Sequence, residues 1–205
     1  MIFRTPVEPI LRAYAPADRV SIVSRLDEAL PRLWHADYLA MPGSTDNLVT
    51  VTFGDETRAG PFCRYLFDHS TDPLRQNLPD EDGTAEDRVV AVWGTSREPD
   101  SRARDKARMR GFPLGPSAAH DDRGHFFAHT MGGGLDINLF PQTPHVNRRG
   151  LWRKMETYCS QNPGTFSFIR PIYVDTTWRP ARLEYGIVKL IEGKAPELWS
   201  HLFDN

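Results

Sequence analysis

Apolar positions in the first part of the chain recur at helical spacing. Val20, Ile22, Val23, Leu26, Ala29 and Leu30 form one stripe across 17–30, with Asp18 in the first turn, where a carboxylate meets the positive end of the helix dipole. Pro31 is expected to end or re-aim that helix, because proline removes a backbone donor and crowds the preceding turn. A second short helical piece through Leu33, Trp34 and Tyr38 follows, and then a loop at Met41-Pro42-Gly43-Ser44. From there the period changes to two. Residues 48–53 alternate and are rich in β-branched side chains, which predicts a strand, and 54–60 turns it back into 62–67 as a hairpin.

Residues 69–87 are acidic, hold two prolines and carry almost no large apolar group, so they read as a surface loop or linker. The apolar run 88–93 has strand length. Residues 96–110, with five arginines and one lysine in 15 residues, have only a weak apolar stripe, and read either as a solvated charged helix or as a phosphate-contacting arm. Residues 122–129 predict a strand in which aromatic residues follow the helix-averse Gly124, and Gly132-Gly133-Gly134 turns the chain into a return strand at 135–140 that Pro141-Gln142 ends. Leu151, Trp152, Met155, Tyr158 and Cys159 mark an amphipathic helix. Residues 165–174 and 181–191 have strand composition and are joined as a hairpin through 175–180, and 198–203 is expected to pack as a final helical turn or two. The fold class these elements give is α+β with a central antiparallel sheet and a helical and hairpin N-terminal extension. The organisation is an extension at 1–95, packed on the same domain, and a principal domain at 96–205.

With 205 residues and 40% hydrophobic content, the chain can bury a core without covalent staples. Cys63 and Cys159 stand far apart and in no metal-ligand spacing, which favours two buried free thiols over a disulfide framework. The N-terminus has no apolar signal core, and no window approaches the ~18 apolar residues of a membrane span. A soluble protein without a membrane partner is expected, cytoplasmic or exported by a route without a classical signal peptide.

Charge changes the picture. Residues 1–95 carry 9 Arg+Lys against 15 Asp+Glu, a balance of −6, and residues 96–205 carry 16 against 12, a balance of +4. Of the 25 basic residues 21 are arginine, whose planar fork matches phosphate oxygens better than an ammonium does. The basic half suggests an anionic partner.

That half also concentrates groups a folded core normally excludes. His125 and His129 share a face if both lie on one strand, and Arg123, two residues before His125, points the same way. Two cationic-capable groups side by side call for an anion. Asn138 lies on the return strand opposite them. Asn147, just ahead of the amphipathic helix, reads as an N-cap; its carboxamide oxygen is also a hard neutral ligand of the kind that holds magnesium with several waters retained. Glu156 shares a helix face with Trp152, four residues earlier; taken alone, it reads as a solvated helix glutamate.

Taken together, Asp122-Arg123-Gly124-His125, the three glycines, Asn138-Leu139-Phe140-Pro141-Gln142, and Asn147, Gly150, Trp152 and Glu156 resemble the DNA/RNA non-specific endonuclease family. Its active site is built on the ββα-metal, or His-Me finger, motif. The similarity runs over roughly residues 115–190 and is greatest to the compact bacterial toxin-type branch, with Arg148-Arg149 lengthening the approach to the helix by about one residue. The resemblance implies that His125 is a general base activating water, Arg123 holds the phosphate, and Asn138 supports the histidine or the metal surroundings. It further implies Asn147 as the direct ligand of one Mg2+, with Mn2+ able to substitute, and Glu156 orienting water near that ion. Arg148, Arg149 and Arg153 are the implied substrate contacts. The partners implied are DNA or RNA and, for a toxin or effector nuclease, an inhibitor (immunity) protein.

Two other classes are weighed. A non-catalytic nucleic-acid-binding module with a relic nuclease site would use the same basic half, and the joint presence of His125, Asn147 and Glu156 argues against it. A zinc hydrolase using His125 and His129 would need both on a helix, and the sequence has neither a His-Glu-x-x-His pattern nor the Gly-x-Ser-x-Gly elbow of a serine hydrolase.

Overall fold

The computed structural model describes residues 4–13, 18–54, 61–69, 88–98, 107, 110, 118–134 and 136–205. Two N-terminal helices, α1 (Val7–Arg12) and α2 (Arg19–Leu39), precede three strands, β1 (Leu48–Gly54), β2 (Pro61–Asp68) and β3 (Arg88–Thr95). Then come β4 (Asp122–His125) and β5 (Leu139–Gln142), the helices α3 (Pro144–Arg148) and α4 (Gly150–Gln161), and the strands β6 (Phe166–Ile172), β7 (Arg182–Lys189) and β8 (Glu197–Asp204). The six-stranded sheet has the order β1-β2-β3-β6-β7-β8, every neighbour antiparallel, and β4 and β5 form a separate antiparallel pair. The class is α+β. β3 pairs with β6 from Val92↔Ile169 to Thr95↔Phe166, so strands from residues 1–95 and from the C-terminal half share one sheet.

The sheet separates two apolar clusters, because alternate residues of each strand face opposite ways. On one face, Ile22, Leu26, Leu30, Trp34 and Tyr38 of α2 pack with Trp93, Phe166, Phe168 and Val188. On the other, Trp152, Met155 and Cys159 of α4 pack with Leu183, Tyr185, Ile187 and Phe203. Trp152 lies 5.0 Å from the Tyr185 ring and 5.2 Å from Phe203.

Helix α2 departs from expectation in passing through Pro31, so the Leu33–Tyr38 segment continues it and is not a second helix. A proline inside a helix costs about 3 kcal/mol. Trp34 and Tyr38, each 1% exposed beyond it, offset this: burial contributes roughly 1.5–3 kcal/mol for each large side chain. Asp18 is the N-cap, not a first-turn residue, and its carboxylate accepts from the Val20 and Ser21 N–H groups at 2.9 and 3.0 Å. Val20 stands 74% exposed, outside the stripe.

The final segment is also corrected. Residues 198–203 lie in β8, paired with β7 from Arg182↔Asp204 to Lys189↔Glu197, and not in a helical turn. Trp199, His201 and Phe203 follow at a period of two and join a ring contact series with Tyr158 and Trp152. The predicted strands at 48–53, 62–67, 88–93, 165–174 and 181–191 are all observed, whereas the readings of 70–87 and most of 96–110 lie outside the described residues.

A buried polar network fixes the N-terminal segment to the sheet. Arg170 and Glu184, 2% and 1% exposed, pair at 2.8 Å. The Thr5 N–H and hydroxyl donate to Glu184 at 2.7 Å each, Trp34 Nε1 donates to Thr5 Oγ1, and Arg170 also reaches Asp37. Both carboxylate oxygens of the buried Glu184 are thereby hydrogen-bonded, as a buried charge requires. Cys63 and Cys159 are free and buried, and burial pushes both thiols up to about 12. No described helix is long and apolar enough to cross a membrane.

Candidate active site

The β4–β5 pair lies on the α4 side of the sheet, with Asp122↔Gln142, Arg123↔Pro141, Gly124↔Phe140 and His125↔Leu139 in register. Phe140 stacks on Phe126 at 4.2 Å and meets Trp152 at 6.5 Å, which couples the hairpin to α4. Gly124 is required by close packing: a Cβ there would overlap the side chain of the fully buried Gln142. Neither polar atom of the Gln142 carboxamide has a hydrogen-bond partner among the described residues.

The strand beginning at Asp122 stops at His125 and does not continue to 129. Asn138 is the reason. Its Oδ1 accepts from Phe127 N–H at 2.7 Å and from Tyr65 Oη–H at 2.8 Å, while its Nδ2 donates to the Phe127 and Gly134 carbonyls at 2.8 and 2.7 Å. This carboxamide takes both ladder groups of Phe127 and turns the chain inward. His129 therefore begins a 3-10 turn (His129–Met131) and does not share a strand face with His125. Gly133 passes so close to the Phe127 carbonyl that a Cβ would overlap it, and Gly132 has φ +92. Asn138 itself sits in a 3-10 turn (Asp136–Asn138) ahead of β5, and Pro141 and Gln142, expected to end the return strand, lie within it. All four hydrogen-bonding valences of Asn138 are filled, so it braces the segment behind His125 and has none to offer a ligand. Tyr65 comes from β2, in a part of the chain that sequence reasoning left without a role, and beyond strand alternation nothing in the sequence points to it.

Asn147 is corrected as an N-cap. It lies inside α3, and the residue flanking α4 is Arg149, in extended conformation, followed by Gly150 at φ +77. Residues Pro144–Arg148 form a separate short helix, and Asn147 within it is turned toward β4. Its Nδ2 donates to Asp122 Oδ2 at 3.0 Å. Arg148 binds the same carboxylate through Nε at 2.7 Å and through a second guanidinium nitrogen. Arg148 first, and then Asn147, hold the Asp122 carboxyl below its ordinary value. Asp122 thus joins α3 to β4, and His125 lies three residues farther along the strand, about 10 Å.

Glu156 is not the solvated glutamate its position alone suggests. It is 6% exposed, its Oε1 accepts from Trp152 Nε1 at 3.0 Å, and its Oε2 is paired with Arg153. The helix stripe predicted that Trp152 and Glu156 share a face, and they do. Arg123 and His125 are half-buried on β4, while Arg148, Arg149 and Arg153 are exposed around α3 and the start of α4. Of these three, Arg148 is engaged with Asp122 and Arg153 with Glu156.

Residues at the end of the chain brace this assembly. Arg179 pairs with Asp121, Nε to Oδ2 at 2.6 Å. Asn205 accepts from Thr143 N–H at 2.9 Å and donates to the Pro141 and Pro180 carbonyls at 3.0 and 2.8 Å. These bonds tie the entry to α3, and so Asn147, to the β6–β7 connection. Sequence reasoning missed Asp121, Arg179 and Asn205, and the only available signal was the acidic pair before Arg123.

Among the described residues no three or more His, Cys, Asp or Glu side chains gather as metal ligands. The Asn147 carboxamide, whose nitrogen faces Asp122, has its oxygen as a donor that could meet a cation here. A neutral hard oxygen suits a divalent ion that keeps most of its water. Compared with known proteins, the chain is matched by no family model and by none of the curated sequences.

Proposed function

We propose that the protein is a metal-dependent, largely sequence-non-specific endonuclease that hydrolyses phosphodiester bonds of DNA or RNA, and that β4, β5 and α4 form a ββα-metal motif. One observation carries the reading: a hairpin whose first strand holds Arg123 and His125 is tied by Asp122 to the helical segment that holds Asn147, next to the helix bearing Glu156. Asn147 would hold a magnesium or manganese ion through its carboxamide oxygen. When bound, such an ion supplies a Lewis acid for the phosphate and the departing oxygen.

The protein's own groups account for the rest. His125, as neutral imidazole, takes the proton of the attacking water on a ring nitrogen. Arg123, on the same strand, offers a guanidinium fork to the phosphate oxygens as their charge grows. Glu156, held by Trp152 and Arg153 in the middle of α4, would orient water near the ion through its carboxylate. The exposed Arg148, Arg149 and Arg153 contact the sugar–phosphate backbone, which carries no direct sequence information.

Supercoiled plasmid and a structured RNA are the test substrates. Cleavage is expected with magnesium or manganese and none in excess chelator, since a site with one protein ligand exchanges its ion readily. Undiminished cutting in chelator would sink the single-metal reading, and no cutting of either polymer in any metal would favour a binding module. If the basic half forms the groove, duplex affinity of a catalytically inactive variant should also fall with salt. The expected log–log slope is about −0.9 per phosphate neutralised, and a flat response would show the charge asymmetry to be incidental.

A further inference from the structure

Asp122 Oδ2 receives two donors, Asn147 Nδ2 at 3.0 Å and Arg148 Nε at 2.7 Å, while Oδ1 receives one from Arg148. An ionised carboxylate only accepts hydrogen bonds, so the amino end of the Asn147 carboxamide must be the end facing it. The oxygen is then directed away from Asp122. A carboxamide is nearly symmetric in shape but opposite in polarity at its two ends, and a cation meeting the amino end is repelled. Among the described residues, no other hydrogen bond of the Asn147 side chain chooses between the two orientations.

We propose that Asp122 is a positioning residue that fixes the Asn147 carboxamide with its oxygen available to the divalent ion. This rests on the nuclease reading above, in which Asn147 is the ligand. Asp122 acts through Asn147 and touches neither ion nor substrate. What it must supply is an acceptor at the Oδ2 position, not a charge. An asparagine at 122 keeps that acceptor, because two donors converge on Oδ2 and one on Oδ1, and the exposed Arg148 can swing clear of the new amino group.

The test is Mn2+ binding without substrate, read from the paramagnetic resonance signal of the free ion, on full-length protein. Asp122→Ala is expected to weaken Mn2+ binding by roughly tenfold, the lower end for losing a residue that orients a ligand. Asp122→Asn and Arg148→Ala should stay within about threefold of wild type. Should Asp122→Ala not fold, Asp122→Ser, whose hydroxyl is too short to reach Nδ2, should show the same tenfold loss. Wild-type affinity in Asp122→Ala or Asp122→Ser overturns the proposal, and so does an Asp122→Asn variant as weak as Asp122→Ala. Asn147→Ala separates this from failure of the nuclease reading: if it binds Mn2+ like wild type, Asn147 is not the ligand. If it binds weakly while Asp122→Ala does not, only the positioning role falls.

Discussion

Replacing His125 by alanine is expected to lower turnover by roughly 10²–10⁴-fold, the range for losing general base catalysis, with metal and nucleic-acid binding nearly intact. The loss should be chemical, because His125 lies at the end of β4 and the hairpin register and Asn138 brace hold the backbone there without its imidazole. Asn147→Ala should behave differently. Removing the ligand weakens the ion, so raising magnesium or manganese should recover part of the rate, whereas His125→Ala should show no such recovery. Rates measured across a metal titration for both variants decide this. Wild-type activity in both would place the chemistry elsewhere. A stability loss of ~1 kcal/mol as the main effect of Asn147→Ala would be the mark of a lost N-cap, and the position of Asn147 inside α3 argues against it.

Asn138→Ala should be strongly destabilising. It leaves four groups without their partner: the Tyr65 hydroxyl, the Phe127 N–H and carbonyl, and the Gly134 carbonyl. Three of these groups are buried and Gly134 is exposed; at about 1 kcal/mol or more for each buried group, the expected loss is about 3 kcal/mol, or a fall in Tm of about 9 °C for a chain of this size. Asn138→Asp should not rescue it, because a carboxylate would set an acceptor against both carbonyls. Tyr65→Phe removes only one of the four bonds and should cost about a third as much. Thermal unfolding of the three variants is sufficient, and a fall under about 2 °C in Asn138→Ala would show that the loop at 126–134 is held by other means.

Local pattern carried much of the architecture. Period-two runs at 48–53, 62–67, 88–93, 165–174 and 181–191 became strands, and the stripe from Leu151 to Cys159 became α4, because each expresses a burial preference that a short segment satisfies against any apolar neighbour. The order of Arg123, His125, Asn147 and Glu156 along the chain was legible for the same reason: strand, turn and helix lengths are local.

Long-range contacts decided the rest. Pro31 does not end α2, since the sheet face that takes Trp34 and Tyr38 comes from residues 88–93 and 166–173, far along the chain. Residues 198–203 are a strand because β7 offers an open edge, and nothing within ELWSHLFD itself distinguishes that outcome from a helical turn. His129 leaves the strand because a carboxamide nine residues later captures the Phe127 backbone, helped by a tyrosine from β2. Asn147 faces Asp122 and caps no helix, because it lies within the short helix Pro144–Arg148 that precedes α4. Periodicity reports how a segment meets an averaged apolar or polar environment. Which carboxylate orients which carboxamide is set by individual partners 11 to 73 residues apart in the chain, and the pattern of either segment alone holds no record of the other.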